Sequence, residues 1–280
     1  MRQVVAPTFF PLHQPIHRVL EELAAEGVEL VELYGDSPDI HVDLTDEAAV
    51  DAVLETLTRL PIKVYSIHGG FSNPSEEAWD ISQPDADKRR LAIQRHVKVL
   101  RAARKLGAHH VVIHPGIENR NSGRFEDCRA SLEALAQSAH ETGVILAIEN
   151  MPPTYLAADP EETRRLIDGL DTEAVGFCLD TGHAMLGNGG IGDFIRVLND
   201  RIVAIQWHDN DGKADRHLYP GAGKNSWDEF FAGLRKYNID LPVTVEAAPP
   251  EGIPLRAAIA EVQQALLQGR TPRLRLTSPE

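Results

Sequence analysis

The sequence predicts an α/β protein with a single domain, a closed (β/α)8 barrel of the TIM type, on three observations. Eight short apolar runs alternate with helix-like segments along the 280 residues. Most runs are continuous and rich in Val and Ile, which is typical of parallel strands covered by helices on both faces. Each interval between runs accommodates one helix with its loops, and eight such units favour a closed barrel over an open doubly wound sheet.

The predicted strands are the apolar runs themselves, which are Val4–Ala6, Val28–Leu33, Val64–Ile67, His110–Ile113, Val144–Ile148, Val175–Leu179, Ile202–Ile205 and Val243–Val245. The clearest helix is predicted from Asp87 to Gly107, because apolar residues recur on one face and glycine is a common stop signal. The same pattern predicts helices at Phe125–Gly143, Trp227–Tyr237 and Pro254–Gly269. Ser226 is expected to cap the helix that begins at Trp227, since its hydroxyl can accept a bond from a free backbone N–H.

The barrel domain is expected to span residues 1–270, followed by a loosely ordered tail at 271–280 that carries no periodicity. No linker-like segment divides the chain. The segment from Gly69 to Asp85 is long and contains two prolines, so we expect it to form a lid over the barrel.

Composition narrows the class of protein. No apolar run is long enough to span a membrane, and the two cysteines lie far apart in the sequence; this pattern suits a reducing, cytoplasmic location. The formal net charge of −14 opposes broad contact with nucleic acid. No G-x-G-x-x-G follows a predicted strand, so no nucleotide cofactor is expected. The sequence is compatible with a homo-oligomer.

Metal-binding residue types stand at the ends of seven successive predicted strands: Glu32, His68, His114, Glu149, Asp180, His208 and Glu246. In a βα barrel these ends meet at one face, where active sites are built. So many acidic and imidazole groups in one buried place are stable only if cations pair with them. His183 follows Asp180 closely, and the loop after His208 adds Asp215 and His217.

The ligand types indicate which divalent metal (Mn, Mg, Co or Zn) suits each position. One ion is predicted on three carboxylates and one imidazole, an oxygen-rich set that suits Mn, Mg or Co: Glu149, Asp180, His208 and Glu246. Additional ions are predicted on His68 and His114 with Glu149 bridging, and on His183, Asp215 and His217, where nitrogen ligands favour Zn. Glu32 is expected to accept a hydrogen bond from a metal-bound histidine instead of touching the metal.

Five motifs resemble those of the xylose isomerase-like TIM barrel superfamily, over nearly the whole chain. They are I-E-N-M-P around Glu149, L-D-T-G-H-A from Leu179, W-H-D-N-D-G-K-A-D-R-H from Trp207, P-G-A-G from Pro220 and V-E-A-A around Glu246. That superfamily includes sugar isomerases and epimerases, inosose dehydratases, and endonuclease IV, which cuts DNA at abasic sites with three zinc ions.

The resemblance implies two different activities. The chain is similar to the ketose 3-epimerases in the four-residue ligand set, with His183 and Arg216 where those enzymes contact substrate, but the N-M-P-P-T-Y that follows Glu149 lacks their further carboxylate. It is similar to endonuclease IV at all nine zinc-binding positions: His68, His114, Glu149, Asp180, His183, His208, Asp215, His217 and Glu246. Acidic loops argue against DNA, namely Y-G-D-S-P-D-I-H-V-D after strand 2 and, after strand 3, Glu76, Glu77, Asp80, Asp85 and Asp87.

The sequence therefore predicts a divalent-metal-dependent isomerase or epimerase of a sugar or sugar phosphate, working by proton transfer through a metal-stabilised enediolate. Glu149 and Glu246 are the predicted acid/base pair. The partner is a small carbohydrate, with substrate contacts predicted from His68, His114, His183, Arg216 and Lys213. The alternative is a trinuclear zinc endonuclease acting on abasic-site DNA. A third possibility is a catalytically inactive barrel that binds a sugar or a protein partner.

Overall fold

The computed structural model describes residues 3–36, 39–72, 74–117 and 124–273. Eight parallel strands close into a barrel in chain order, β1 to β8, with β1 paired to β8, and this confirms the predicted fold class. The strands are β1 Val4–Pro7, β2 Leu30–Tyr34, β3 Lys63–His68, β4 His110–Ile113, β5 Ile145–Glu149, β6 Val175–Asp180, β7 Ile202–Gln206 and β8 Val243–Thr244. All eight predicted strands are therefore present; β4 has the predicted bounds, and the other seven are shifted at one or both ends.

Helices follow the strands and cover the outside of the barrel. They are α1 Ile16–Ala25, α2 Glu47–Leu57, α3 Ala86–Leu106, α4 Arg124–Thr142, α5 Pro160–Ile167, α6 Thr181–Leu186, α7 Gly190–Leu198, α8 Trp227–Lys236 and α9 Leu255–Gln268, with a 3₁₀ turn at Glu76–Ala78. Among the described helices, none is both long and apolar enough to cross a membrane.

Local chemistry sets where the helices begin and end. The side chain of Asp85 accepts bonds from the backbone N–H groups of Asp87 and Lys88, which starts α3, and Gly107 ends it with a φ of 80°. Ser226 precedes α8 but makes no side-chain cap hydrogen bond, so the capping prediction is wrong. Its backbone carbonyl accepts from Phe230 instead.

Several strand ends differ from the prediction in a way that matters for the site. β2 continues past Glu32 to Tyr34, so Glu32 lies inside the barrel and not at its end. His208 and Glu246 stand two residues beyond the ends of β7 and β8. The ligating side chains therefore come from strand ends and from the first residues of the loops.

The segment after β3, predicted to be a lid, is packed into the fold over residues 79–83. Asp80, Ile81 and Ser82 are buried, the carbonyl of Ile81 accepts a bond from Ser131 of α4, and Arg124 forms an ion pair with Asp80 at 2.8 Å. That prediction is wrong for this part, because a buried ion pair and backbone bonds fix it. Residue 73 lies outside the described residues.

The predicted C-terminal tail at 271–280 falls outside the described residues from 274 onward. Residues 271–273 have no regular secondary structure. The backbone N–H of Arg273 donates to Glu261 of α9, so the described part of this segment lies against the last helix.

Candidate metal centre

All nine predicted metal-ligand residues lie together at the carboxyl-terminal mouth of the barrel. Their ligand atoms form four overlapping groups in which every atom lies within 4.8 Å of the others. The groups are His68, His114 and Glu149; Glu149, Asp180 and His183; Asp180, His208 and Glu246; and His183, His208, Asp215 and His217. Because the groups share Glu149, Asp180, His183 and His208, the nine side chains form one connected cluster.

The first group is centred on one oxygen of Glu149. The Nε2 atoms of His68 and His114 lie 3.3 and 3.6 Å from Glu149 Oε2. Two ligands of one tetrahedral ion, each at about 2.0–2.1 Å from it, are about 3.3 Å apart. This group therefore has the spacing of three ligands around a single cation.

The loop between β7 and α8 completes a second nitrogen-rich group. The Nε2 atoms of His183 and His217 both lie 3.1 Å from Asp215 Oδ2, and His208 Nδ1 lies 4.0 Å from the other oxygen of Asp215. This arrangement agrees with the prediction for His183, Asp215 and His217 and adds His208 to it.

The four residues predicted to share one ion fall into two groups. Asp180 and His208 are in contact, with His208 Nε2 2.8 and 2.9 Å from the two carboxylate oxygens of Asp180, and Glu246 belongs with them. Glu149 joins Asp180 through His183 instead. Asp180 is therefore the residue that links the two halves of the predicted set.

The hydrogen bonds of the histidines fit bound cations. Nδ1 of His68, His183 and His217 lies 2.8 to 3.1 Å from a backbone carbonyl oxygen, so Nδ1 carries the hydrogen and Nε2 presents a lone pair to a carboxylate oxygen. Two acceptors at that distance repel each other unless a proton or a cation lies between them. His208 Nδ1 and Glu246 Oε2 are buried without a hydrogen-bond partner among the described residues. The donor set therefore fits divalent metal.

Charge pairing shifts the pKa values of the same groups. Burial opposes ionisation of His68, but the hydrogen bond and charge of Glu149 outweigh it and raise the pKa of His68 to about 9. Burial raises the pKa of Glu246 well above its usual value. Burial acts on Glu149 in the same direction, yet its electrostatic interaction with His114 and the hydrogen bonds from His183 and His68 hold the Glu149 pKa well below its usual value. The two carboxyl groups thus differ in proton affinity.

A cavity of about 160 Å³ lies above the cluster. Its floor includes Glu149 and Glu246, and much of its wall is aromatic or apolar: Phe9, Tyr34, Phe71, Met151, Pro152 and Tyr155. The wall leaves space for a small molecule in contact with the metal ligands.

Three of the five predicted substrate contacts line this cavity, namely His68, His114 and His183. Arg216 and Lys213 do not line it, and both are exposed. The Arg216 side chain is 58% exposed, with Nε 3.4 Å from Asp211. The structure therefore does not bring these two cations to the cluster.

The sequence analysis missed two buried polar residues that support the cluster. Tyr34 donates its hydroxyl hydrogen to Glu246 Oε1 at 2.9 Å, and Asp209 accepts five N–H groups from the loop that follows it. Glu32 contacts Tyr34, Ser66 and Gln206, and not a histidine as predicted. Because alternate residues of a strand face the same side, Tyr34 could have been placed beside Glu32 from the sequence.

A family model described as the xylose isomerase-like TIM barrel matches residues 20–268. The chain belongs to the xylose isomerase-like TIM barrel family. An uncharacterised protein of Methanocaldococcus jannaschii is 33% identical over 143 residues. The matched region covers 50% of the present chain and 55% of the M. jannaschii protein. A probable endonuclease 4 of Mycobacterium leprae is 28% identical over 172 residues, covering 57% of this chain and 61% of that protein. The chain thus spans little more than half the length of these relatives.

Two solved structures superpose on nearly the whole chain. A D-tagatose 3-epimerase-like protein gives a TM-score of 0.78 at 19% identity and covers 96% of this chain and 97% of its own. A Thermus thermophilus protein soaked with ZnCl2 gives a TM-score of 0.69 at 26% identity, over 96% of this chain and 99% of its own. Both have the same barrel fold.

Proposed function

We propose that the protein is a divalent-metal-dependent isomerase or epimerase of a sugar or sugar phosphate. The observation that carries the proposal is a cluster of nine candidate ligand residues, seven of which line a cavity of about 160 Å³. Such a cavity admits a molecule the size of a monosaccharide, whereas a nucleic-acid duplex could place no more than one flipped-out nucleotide in it. The likeness to a D-tagatose 3-epimerase-like structure supports the same class of reaction.

The chain supplies the proton-transfer groups for this reaction. A bound divalent cation would polarise the substrate carbonyl and stabilise the enediolate that forms when the neighbouring C–H loses its proton. Glu149 and Glu246 both face the cavity, so one carboxylate removes the proton and the other returns one. Phe9 and Phe71, which line the cavity, pack against the apolar face of the sugar ring. Arg216 and Lys213 have no part in this proposal.

Cleavage of abasic-site DNA is the second candidate, and a specific observation favours it. The nine residues that correspond to the zinc ligands of endonuclease IV form overlapping groups that can hold more than one cation. One argument against DNA is also weaker than the sequence suggested, since Asp80 is buried and paired with Arg124 and adds no charge to the surface. The small, aromatic-walled cavity still favours a sugar.

Solvent exchange tests the proposed reaction on many sugars at once. The protein, loaded with Mn²⁺ or Zn²⁺, is incubated in D₂O with a panel of free and phosphorylated ketoses and aldoses. Deuterium is expected at the carbon next to the carbonyl of the true substrate, detected by NMR. An abasic-site duplex is incubated in parallel, and strand cleavage without exchange in any sugar would replace the proposal with the second candidate.

Substitution of Glu246 tests the acid/base assignment. Glu246→Gln keeps the shape of the side chain but cannot take up a proton, so we expect exchange to fall by about 100-fold or more with the fold intact by circular dichroism. The matched control is Glu251→Gln, a change at an exposed carboxylate in the loop after β8, which should leave the rate unchanged. Undiminished exchange in Glu246→Gln would remove this residue from the mechanism.

A further inference from the structure

Tyr34 touches members of two different metal-ligand groups. It is the last residue of β2 and is only 1% exposed. Its ring stacks on the imidazole of His68, with centroids 4.7 Å apart and planes 10° from parallel. Its hydroxyl lies 2.9 Å from Oε1 of Glu246. One buried side chain therefore contacts a member of the first group, His68, and a member of the third, Glu246.

The hydroxyl is itself held in place by polar groups inside the barrel. Glu32 Oε1 lies 3.2 Å from the hydroxyl oxygen, and the amide of Gln206 reaches both Glu32 Oε1 at 3.3 Å and the Tyr34 oxygen at 3.4 Å. Ser66 donates to the other oxygen of Glu32. A phenol has one hydrogen to donate, and the shorter distance assigns it to Glu246.

This bond leaves Glu246 with one oxygen available to a cation. Oε1 accepts from Tyr34, whereas Oε2 is buried and has no hydrogen-bond partner among the described residues. Oε2 belongs to the carboxylate that groups with Asp180 and His208. A carboxylate fixed in this way is presented as a one-oxygen ligand, while a free carboxylate can rotate or bind through both oxygens.

We propose that Tyr34 is a positioning residue that orients Glu246 as a one-oxygen ligand and thereby sets the affinity of the Asp180, His208 and Glu246 group for its cation. This inference rests on the metal site of the proposed function. It assigns a role to a residue that touches no cation itself. Hydrogen-bond partners of metal ligands commonly contribute 10- to 100-fold to metal affinity, and the same range is expected for this hydroxyl.

Zinc titration of Tyr34→Phe tests the inference. This substitution removes the hydroxyl and keeps the ring that stacks on His68. We expect one class of bound Zn²⁺ to weaken by about 10- to 100-fold, measured by competition with a chromophoric chelator, while the remaining affinity is unchanged. The matched control is Tyr155→Phe, another tyrosine of the cavity wall, whose hydroxyl donates to Glu76, outside all four groups. Its Zn²⁺ affinity should equal that of the wild type.

The coordination itself gives a second measurement. In protein loaded with Co²⁺, release of Glu246 Oε1 permits binding through both oxygens, so the visible absorption of Tyr34→Phe should weaken as coordination number rises, and that of Tyr155→Phe should not. If Tyr34→Phe cannot be folded, Gln206→Leu replaces it, since loss of the supporting amide should also weaken Zn²⁺ binding. Wild-type affinity in the variant that folds overturns the inference. Failure of the wild-type protein to bind Zn²⁺ would instead overturn the proposed metal site.

Discussion

At the scale of single residues, a buried charge is stable only beside a partner, and Asp80 shows this outside the metal centre. Its side chain is fully buried. One oxygen accepts from the backbone and the hydroxyl of Ser82, and the other accepts from Arg124 at 2.8 Å. Arg124 is thus the cation that balances a carboxylate with no access to water.

Arg124→Met is expected to lower the free energy of unfolding by about 3 kcal/mol, because it leaves Asp80 buried without its counter-charge. The measurement is urea unfolding followed by circular dichroism. Lys88→Met is the matched control, since the Lys88–Glu77 pair is 3.4 Å long and both side chains are more than half exposed; it should cost less than about 1 kcal/mol. Equal losses in the two variants would contradict this account of Asp80.

The nine ligand residues could be predicted because strand ends converge in a barrel, whatever the packing between them. How they divide into groups could not be predicted, since that depends on side-chain reach: Glu149 meets His183, while Glu246 meets His208. The predicted role of Arg216 rested on the resemblance to ketose 3-epimerases, and such a resemblance does not fix the direction in which a loop side chain points. Its guanidinium lies near Asp211, away from the cluster.

At the scale of elements, the loop between β7 and α8 is organised by one carboxylate. Asp209 is fully buried and accepts N–H groups from five residues: Asn210, Gly221, Gly223, Asn225 and Trp227. A Cβ at Gly223 would lie 2.3 Å from the carbonyl oxygen of Asn210, so glycine is required for this close approach. The closed loop carries Asp215 and His217 to the cluster.

Asp209→Asn should disrupt this loop, because an amide replaces one of two acceptor oxygens with a donor that faces N–H groups. We expect a loss of about 2 kcal/mol in the free energy of unfolding and Zn²⁺ affinity about 10-fold lower, measured by urea unfolding and chelator competition. Asp211→Asn is the control from the same loop, where the side chain accepts from Lys213 and Ala214 at the surface. A variant at Asp209 with wild-type stability and affinity would show that the loop closes without this carboxylate.

The existence of the strands could be predicted because a strand that is buried on both faces is a continuous apolar run in the sequence. All eight predicted strands are present. The strand ends were less predictable: β2 begins two residues later than predicted and runs one residue further, to Tyr34, whose hydroxyl has polar partners inside the barrel. The segment after β3 carries acidic residues and prolines, which indicate an exposed loop, but residues 79–83 within it are buried. Its burial depends on Arg124, which is distant in the sequence.

At the scale of the whole molecule, folding buries two histidines in neutral form away from the cavity wall. Burial lowers the pKa of His110, on β4, to about 3. It lowers the pKa of His96, on α3, to about 4, and the hydrogen bond to the carbonyl of Trp79 offsets this only in part. Both pKa values rise to about 6.5 when the chain unfolds. Folding is therefore linked to the release of protons in mildly acidic solution.

The sign of this linkage predicts how stability depends on pH. Below pH 6.5 the unfolded chain binds protons at His110 that the folded chain does not, so the free energy of unfolding falls as pH drops from 6.5 towards 3. His110→Leu removes this contribution, and its stability should fall less steeply, by up to about 1.4 kcal/mol per pH unit between pH 5.5 and 4. Urea unfolding at a series of pH values gives both curves, with pH 8 as the reference for any change in packing. The wild type and His110→Leu have identical metal ligands, so any release of metal in acid affects both. Parallel curves of unfolding free energy against pH would mean that His110 takes up a proton in the folded protein as it does in the unfolded chain.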